Sequence, residues 1–207
     1  MEYSKIDKLG VNPSLLGFGC MRFPKKEDGT IDEVEAERML DHAIESGVTY
    51  IDTAYPYHDG ESEPFVGRVL KKYKRKDYYL ATKLPMFKIN SLEQAKEIFE
   101  EQMKRLDVNY VDFYLLHALN KDTWKKVMDL NIIPYCEELK KQGRIKNFGF
   151  SFHDDYEVFE EIINYRDWDF CQIQLNYIDT DIQAGMKGYK LTEEKNVPLV
   201  IMEPIKG

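Results

Sequence analysis

Three cysteines and four histidines are all that 207 residues offer of the side chains that most often bind transition metals. Cys20, Cys136 and Cys171 lie far apart and show no Cys-x-x-Cys spacing, which argues against a disulfide framework and a zinc ribbon. They read as small buried hydrophobes. No His, Cys or carboxylate group has metal-ligand spacing, so no metal is expected. There is no surplus of positive charge either: 29 Lys and Arg stand against 37 Asp and Glu, for a net charge of -8. A nucleic-acid groove needs clustered Lys and Arg, so no nucleic-acid partner is expected. No apolar run approaches the length of a membrane span. The first ten residues, MEYSKIDKLG, have no apolar core, so a signal peptide is not expected and a cytoplasmic location follows by default. No Gly-x-Gly-x-x-Gly follows the first apolar run, which removes the main support for a Rossmann fold.

What the sequence does have is a strand-helix alternation from end to end, with no linker or low-complexity tract to divide it. A single domain over residues 1–207 is the expectation. Leu15 to Met21 reads as strand one. Asp32 opens a helix, with Glu35 three residues on as a capping box and Ala36, Met39, Leu40, Ala43 and Ile44 at helical spacing. Gly47 ends it. Val48 to Asp52 is strand two, Ser62 opens the next helix, and Tyr78 to Lys83 is strand three. Ser91 and Gln94 form another capping box, ahead of the stripe Ala95, Ile98, Phe99, Met103 and Leu106. Val111 to Leu116 is a continuous apolar run, as a strand buried on both faces should be. The helical stretch after it should break before Pro134, and its second piece should end at Gly143. Ile145 to Phe150, Phe170 to Leu175 and Leu199 to Met202 are strands five to seven, separated by helices around Val158 to Ile163 and Ile182 to Lys195.

Seven strands alternating with helices specify a parallel α/β protein. The polar residues Asp52, Lys83, His117, Ser151 and Gln172 fall at the carboxyl ends of several different strands. That pattern favours a TIM-type (β/α)8 barrel, which gathers its chemistry from many strand ends onto one face. On that face Asp52, Tyr57, Lys83 and His117 would converge. A lysine beside a phenol should lower the tyrosine pKa and suit it to general acid work. The aspartate would keep the lysine charged, and the histidine would orient a substrate oxygen. A tyrosine acid matches carbonyl reduction, in which the alkoxide formed by hydride addition needs a proton. Singly, each residue has an ordinary alternative: a cap, one tyrosine among 14, a surface lysine, a strand-end histidine. Their joint placement carries the reading. His42 is expected in solvent, whereas His58 and His153 lie in loops on the same face. Phe23, Tyr55, Phe87 and Phe152 suggest an apolar pocket there.

Asp52-Thr53-Ala54-Tyr55-Pro56-Tyr57 followed by Glu63 resembles the D-T-A-x-x-Y...E signature of the aldo-keto reductases. Ala81-Thr82-Lys83 is similar to that family's lysine strand, and Leu115-Leu116-His117 to its histidine strand. The resemblance runs over essentially the whole chain in the family's order. It implies that Tyr57 is the proton donor, tuned by Lys83 and Asp52, with His117 orienting the substrate. It also implies that NADP(H) or NAD(H) is the cofactor and a small carbonyl compound the substrate. Gly19, Cys20 and Met21 resemble the loop that lines the nicotinamide pocket, together with Asp52. Ser151 and Gln172 match the carboxamide positions, and Pro204 the proline after strand seven. Two positions depart from the pattern: Phe152 stands where the family often has asparagine, and Met202 where many members stack a tyrosine. The Gly149 to His153 and Met202 to Pro204 wording resembles a microbial branch whose longer members carry an iron-sulfur domain after the barrel. No cysteine cluster accompanies it here.

A barrel of this kind typically needs about 250 residues. The sequence stops after strand seven, so the eighth strand and its flanking helices are expected to be absent. Weak cofactor binding and self-association through an open barrel edge are further expectations. A non-catalytic barrel subunit is the competing reading. A Schiff-base aldolase using Lys83 competes less well, because it leaves Tyr57 unexplained.

Overall fold

The computed structural model describes residues 1–206. Its strands are β1 (Gly17–Gly19), β2 (Tyr50–Asp52), β3 (Tyr79–Leu84), β4 (Val111–Leu119), β5 (Ile145–Phe152), β6 (Phe170–Gln174) and β7 (Leu199–Met202). All six neighbouring pairs are parallel and follow chain order, β1 to β7. The helices are α1 (Glu33–Glu45), α2 (Ser62–Leu70), α3 (Leu92–Leu106), α4 (Lys121–Asp129), α5 (Ile132–Lys141), α6 (Tyr156–Tyr165) and α7 (Gly185–Glu194). This is the expected (β/α) barrel architecture with seven strands. Among the described residues, β1 and β7 each pair on one side only.

Local chemistry explains the element ends. The Asp32 carboxylate accepts the Glu35 N–H, and Ser91 Oγ accepts the Gln94 N–H. The return half of each expected capping box is missing. Glu35 pairs with Arg38 instead, and Gln94 Oε1 takes the N–H of Asn90, one residue further back. A reciprocal box forms at Asn120 and Thr123, at the start of α4. The break before Pro134 falls at Asn131, whose φ of 53° ends the previous turn and leaves Pro134 in the first turn of α5. Strand one is shorter than its sequence suggested, because Leu15 and Leu16 are exposed.

The apolar side chains divide by strand parity. One set packs between sheet and helices, including Leu80, Leu116, Phe148, Phe150, Phe152 and Cys171. The other lines the barrel interior: Tyr50, Ala81, Phe113, Leu115 and Phe170. Side chains two apart share a face. Asp52, Lys83, His117 and Gln172 therefore sit directly above Tyr50, Ala81, Leu115 and Phe170. Gly149 makes room for this inner layer, since a Cβ there would lie 2.3 Å from the Phe170 carbonyl oxygen. The apolar floor thus aims the polar residues out of one end of the barrel.

Candidate active site

Lys83 is 1% exposed and uses all three of its N–H donors. Its Nζ lies 2.5 Å from Asp52 Oδ1, 2.9 Å from the Thr53 carbonyl oxygen and 3.2 Å from the Tyr57 hydroxyl. Asp52 Oδ2 accepts from Gln172 Nε2 at 3.3 Å. The His117 ring stands edge-on to Tyr57, 5.8 Å between centroids. Four strands and one loop thus bring Asp52, Tyr57, Lys83, His117 and Gln172 together. Ser151, also at this end, accepts the Ala118 N–H at 2.8 Å.

The electrostatics differ from the sequence expectation at one point. Burial holds the Tyr57 phenol above its ordinary value, and Lys83 pulls it down without overcoming that effect. The expected lowering of the tyrosine pKa is therefore corrected: burial keeps the Tyr57 phenol protonated. Burial also works against the Lys83 ammonium, but Asp52 and Tyr57 outweigh it and raise the lysine. At His117, burial first and Lys83 second push the imidazole down to about 3, so it is uncharged near neutrality.

Tyr57 sits at the head of a strained loop. His58, Asp59 and Gly60 have φ of 51°, 56° and 97°, and a left-handed non-glycine residue costs roughly 1 kcal/mol or more. His58 Nε2 accepts the Phe23 N–H at 3.1 Å and its ring packs on Phe23, so this histidine braces the loop rather than lining the mouth. Of the four aromatics expected around a pocket, Phe23 and Phe152 are core and Tyr55 packs under Arg105. Phe87 alone is broadly exposed, 5.7 Å from the His117 ring.

The positions matched to a nicotinamide pocket divide in a similar way. Gly19 faces the barrel interior, two residues above Gly17, whose Cβ would press on Tyr50, and beside its register partner Asp52. A Cβ at Gly19 would meet nothing within 4 Å, so glycine keeps the mouth open there. Ser151 Oγ has a hydrogen to donate and Gln172 Oε1 a lone pair to accept, the complement of a carboxamide. These residues fit a nicotinamide. Met21 and Pro204 are exposed at the rim, and Met202 is half-buried. Cys20 is corrected: its side chain is wholly buried in the outer core, and only its main chain meets the site, donating to the Asp52 carbonyl at 2.8 Å. Sequence reasoning passed over Gln102, a polar residue set within the apolar stripe of α3. Glu63 it noted only as a motif letter.

A model of the Aldo/keto reductase family matches residues 15–207. The chain belongs to the aldo/keto reductase family. Aldo-keto reductase YhdN of Bacillus subtilis (strain 168) is 35% identical over 125 residues, covering 56% of this chain and 38% of that protein. The uncharacterized oxidoreductase YqkF of the same organism is 31% identical over 160 residues, covering 73% of this chain and 49% of that protein. This family member thus spans about half the length, or less, of the curated relatives it matches. The holo form of aldo-keto reductase AKR11C1 from Bacillus halodurans superposes with a TM-score of 0.79 at 29% identity, over 100% of this chain and 67% of that one. Among the described residues, no helix is long and apolar enough to cross a membrane, and no three metal-ligating side chains come together.

Proposed function

We propose that this chain carries the catalytic centre of an NAD(P)H-dependent reductase of small aldehydes or ketones. One observation carries the reading: Lys83 Nζ touches both Asp52 and the Tyr57 hydroxyl, at 2.5 and 3.2 Å, at the open end of the barrel next to His117. When bound, a nicotinamide supplies hydride to the carbonyl carbon. The remaining work falls to the protein. Tyr57 gives its phenolic proton to the carbonyl oxygen as negative charge develops there. The Lys83 ammonium, fixed by Asp52, stabilises the phenolate left behind until solvent reprotonates it. His117, uncharged, holds the carbonyl oxygen by a hydrogen bond without competing for the proton. Gly19, Ser151 and Gln172 would hold the nicotinamide, the serine hydroxyl offering a donor and the glutamine oxygen an acceptor to its carboxamide. Phe87 offers an apolar wall beside His117, which favours carbonyl compounds with an apolar substituent.

The family membership and the holo-form relative support this reading. Titration with NADH and with NADPH, followed by nicotinamide fluorescence, tests the cofactor, and aldehyde-dependent loss of nicotinamide absorbance tests the reaction. Weak but saturable binding, with turnover, is expected. Binding without turnover on any aldehyde or ketone would favour a non-catalytic barrel instead, and no binding of either cofactor would contradict both.

A further inference from the structure

On the helix side of β3, behind Lys83, lies a polar cluster that takes no part in the chemistry above. Glu63 of α2, Thr82 of β3 and Gln102 of α3 are all 0% exposed. Glu63 Oε1 accepts from the Thr82 hydroxyl at 2.6 Å and from Gln102 Nε2 at 2.9 Å. The same amide donates to the main-chain carbonyl of Lys83 at 3.0 Å, and its Oε1 accepts from the Tyr114 hydroxyl at 2.7 Å. Gly67 makes the cluster possible, because a Cβ there would lie 2.7 Å from the Arg105 and Leu106 carbonyl oxygens. Only glycine lets α2 rest so closely on the end of α3.

Such a cluster is a poor way to gain stability. Burying a carboxyl and an amide is unfavourable unless every group is bonded, and apolar side chains of similar volume often serve as well. What the cluster achieves is location. Gln102 fixes the main chain at Lys83. Arg105, three residues on along the same helix face, lies 3.6 Å from Glu63 Oε2 and reaches the carbonyl oxygens of Tyr55 and Gly60 at 3.4 and 3.5 Å. Its guanidinium stacks 4.2 Å over the Tyr55 ring. Tyr55 to Gly60 is the strained segment that carries Tyr57. One buried cluster thus grips the backbone on both sides of the Lys83–Tyr57 contact.

We propose that Glu63 and Gln102 are positioning residues that set the distance between Lys83 Nζ and the Tyr57 hydroxyl. Gln102 acts by holding the Lys83 main chain, and Glu63 by holding Gln102 and Arg105. The proposal rests on Tyr57 and Lys83 being the proton-transfer pair. Groups close enough to act on the Tyr57 phenol are Lys83, Asp52, Cys20 and His117, and of these Lys83 alone pulls its pKa down. If Lys83 retreats, Tyr57 ionises at higher pH.

The test compares Gln102→Leu, Gln102→Asn and Glu63→Gln with the unaltered protein and with Tyr57→Phe. Gln102→Asn keeps the amide but shortens its reach, and serves if the leucine variant does not fold. Misplacement of this order lowers kcat by about ten- to a hundredfold in the Gln102 variants, with KM changed by less than about threefold. The alkaline limb of kcat moves to higher pH. Tyrosinate absorbance, taken as the difference from each variant's own Tyr57→Phe partner, also rises at higher pH, and this reading needs no turnover. Glu63→Gln retains an acceptor for Thr82 and Gln102 but gives up the charge that faces Arg105, so it moves all three in the same direction by less than the Gln102 variants do. A purely structural role would lower only the melting temperature. A folded Gln102 variant with wild-type kcat, alkaline limb and tyrosinate titration overturns the proposal. Undiminished activity in Tyr57→Phe overturns the underlying reading as well.

Discussion

Lys83 Nζ lies 2.5 Å from Asp52 Oδ1 across two adjacent strands, with the lysine 1% and the aspartate 8% exposed. Removing one partner of such a pair strands a charge out of water and costs about 3–5 kcal/mol. Asp52→Asn should therefore lower the unfolding free energy by an amount on that order. Adding Lys83→Met should restore part of it, because the stranded charge is then gone. Denaturant unfolding of the two single variants and the double variant checks this; strictly additive losses would show that the two groups do not act as a pair.

His117 makes a prediction about acid stability. Its folded-state pKa is depressed, so the unfolded chain takes up the proton first. Stability is then greatest above the ordinary histidine value of 6.5 and falls as pH drops from there towards about 3. Over pH 7 to 5 the wild-type protein should lose about 1–2 kcal/mol more than His117→Gln, at roughly 1.4 kcal/mol per pH unit for one proton. Comparing the variant with wild type cancels the other histidines. Equal losses in the two proteins would place His117 in contact with water.

Two glycines of the barrel interior should behave in opposite ways. At Gly149 a Cβ would lie 2.3 Å from the Phe170 carbonyl oxygen, so Gly149→Ala should cost about 3 kcal/mol through overpacking. At Gly19 a Cβ would meet nothing within 4 Å. Gly19→Leu should leave stability within about 1 kcal/mol of wild type. If nicotinamide binds beside Asp52, that leucine should weaken cofactor affinity by about tenfold or more, a loss near 1.4 kcal/mol. Unaltered cofactor affinity in a folded Gly19→Leu would move the nicotinamide away from this strand end.

The legible part of this protein was what depends on sequence period and local chemistry. A continuous apolar run marked β4, the Asp32 and Ser91 caps marked helix starts, and Pro134 marked the break between α4 and α5. Asp52, Lys83 and His117 stood out because each fell at the carboxyl end of a strand. The rest depended on how elements pack. Whether burial or Lys83 governs the Tyr57 phenol is a balance between two opposing effects, and sequence supplies only the lysine. Cys20 sits beside Gly19 in a motif, yet strand parity turns it into the outer core. Gln102 falls where α3 should be apolar, and its partners Glu63, Lys83 and Tyr114 come from three other elements. A polar residue inside an apolar stripe was the available signal, but its meaning appeared only once those elements met.

Tyr57→Phe tests the proposed chemistry most directly, because it removes one oxygen atom and leaves the ring against His117. Single-turnover reduction of an aldehyde by preformed protein–cofactor complex, with cofactor affinity measured alongside, is the measurement. Loss of a general acid lowers the rate of the chemical step by about a hundredfold or more. Cofactor affinity should stay unchanged within about twofold, since the hydroxyl contacts Lys83 rather than Ser151 and Gln172, the residues proposed to hold the carboxamide. A Tyr57→Phe protein that reduces the aldehyde at the wild-type rate would contradict the assignment of Tyr57 as proton donor.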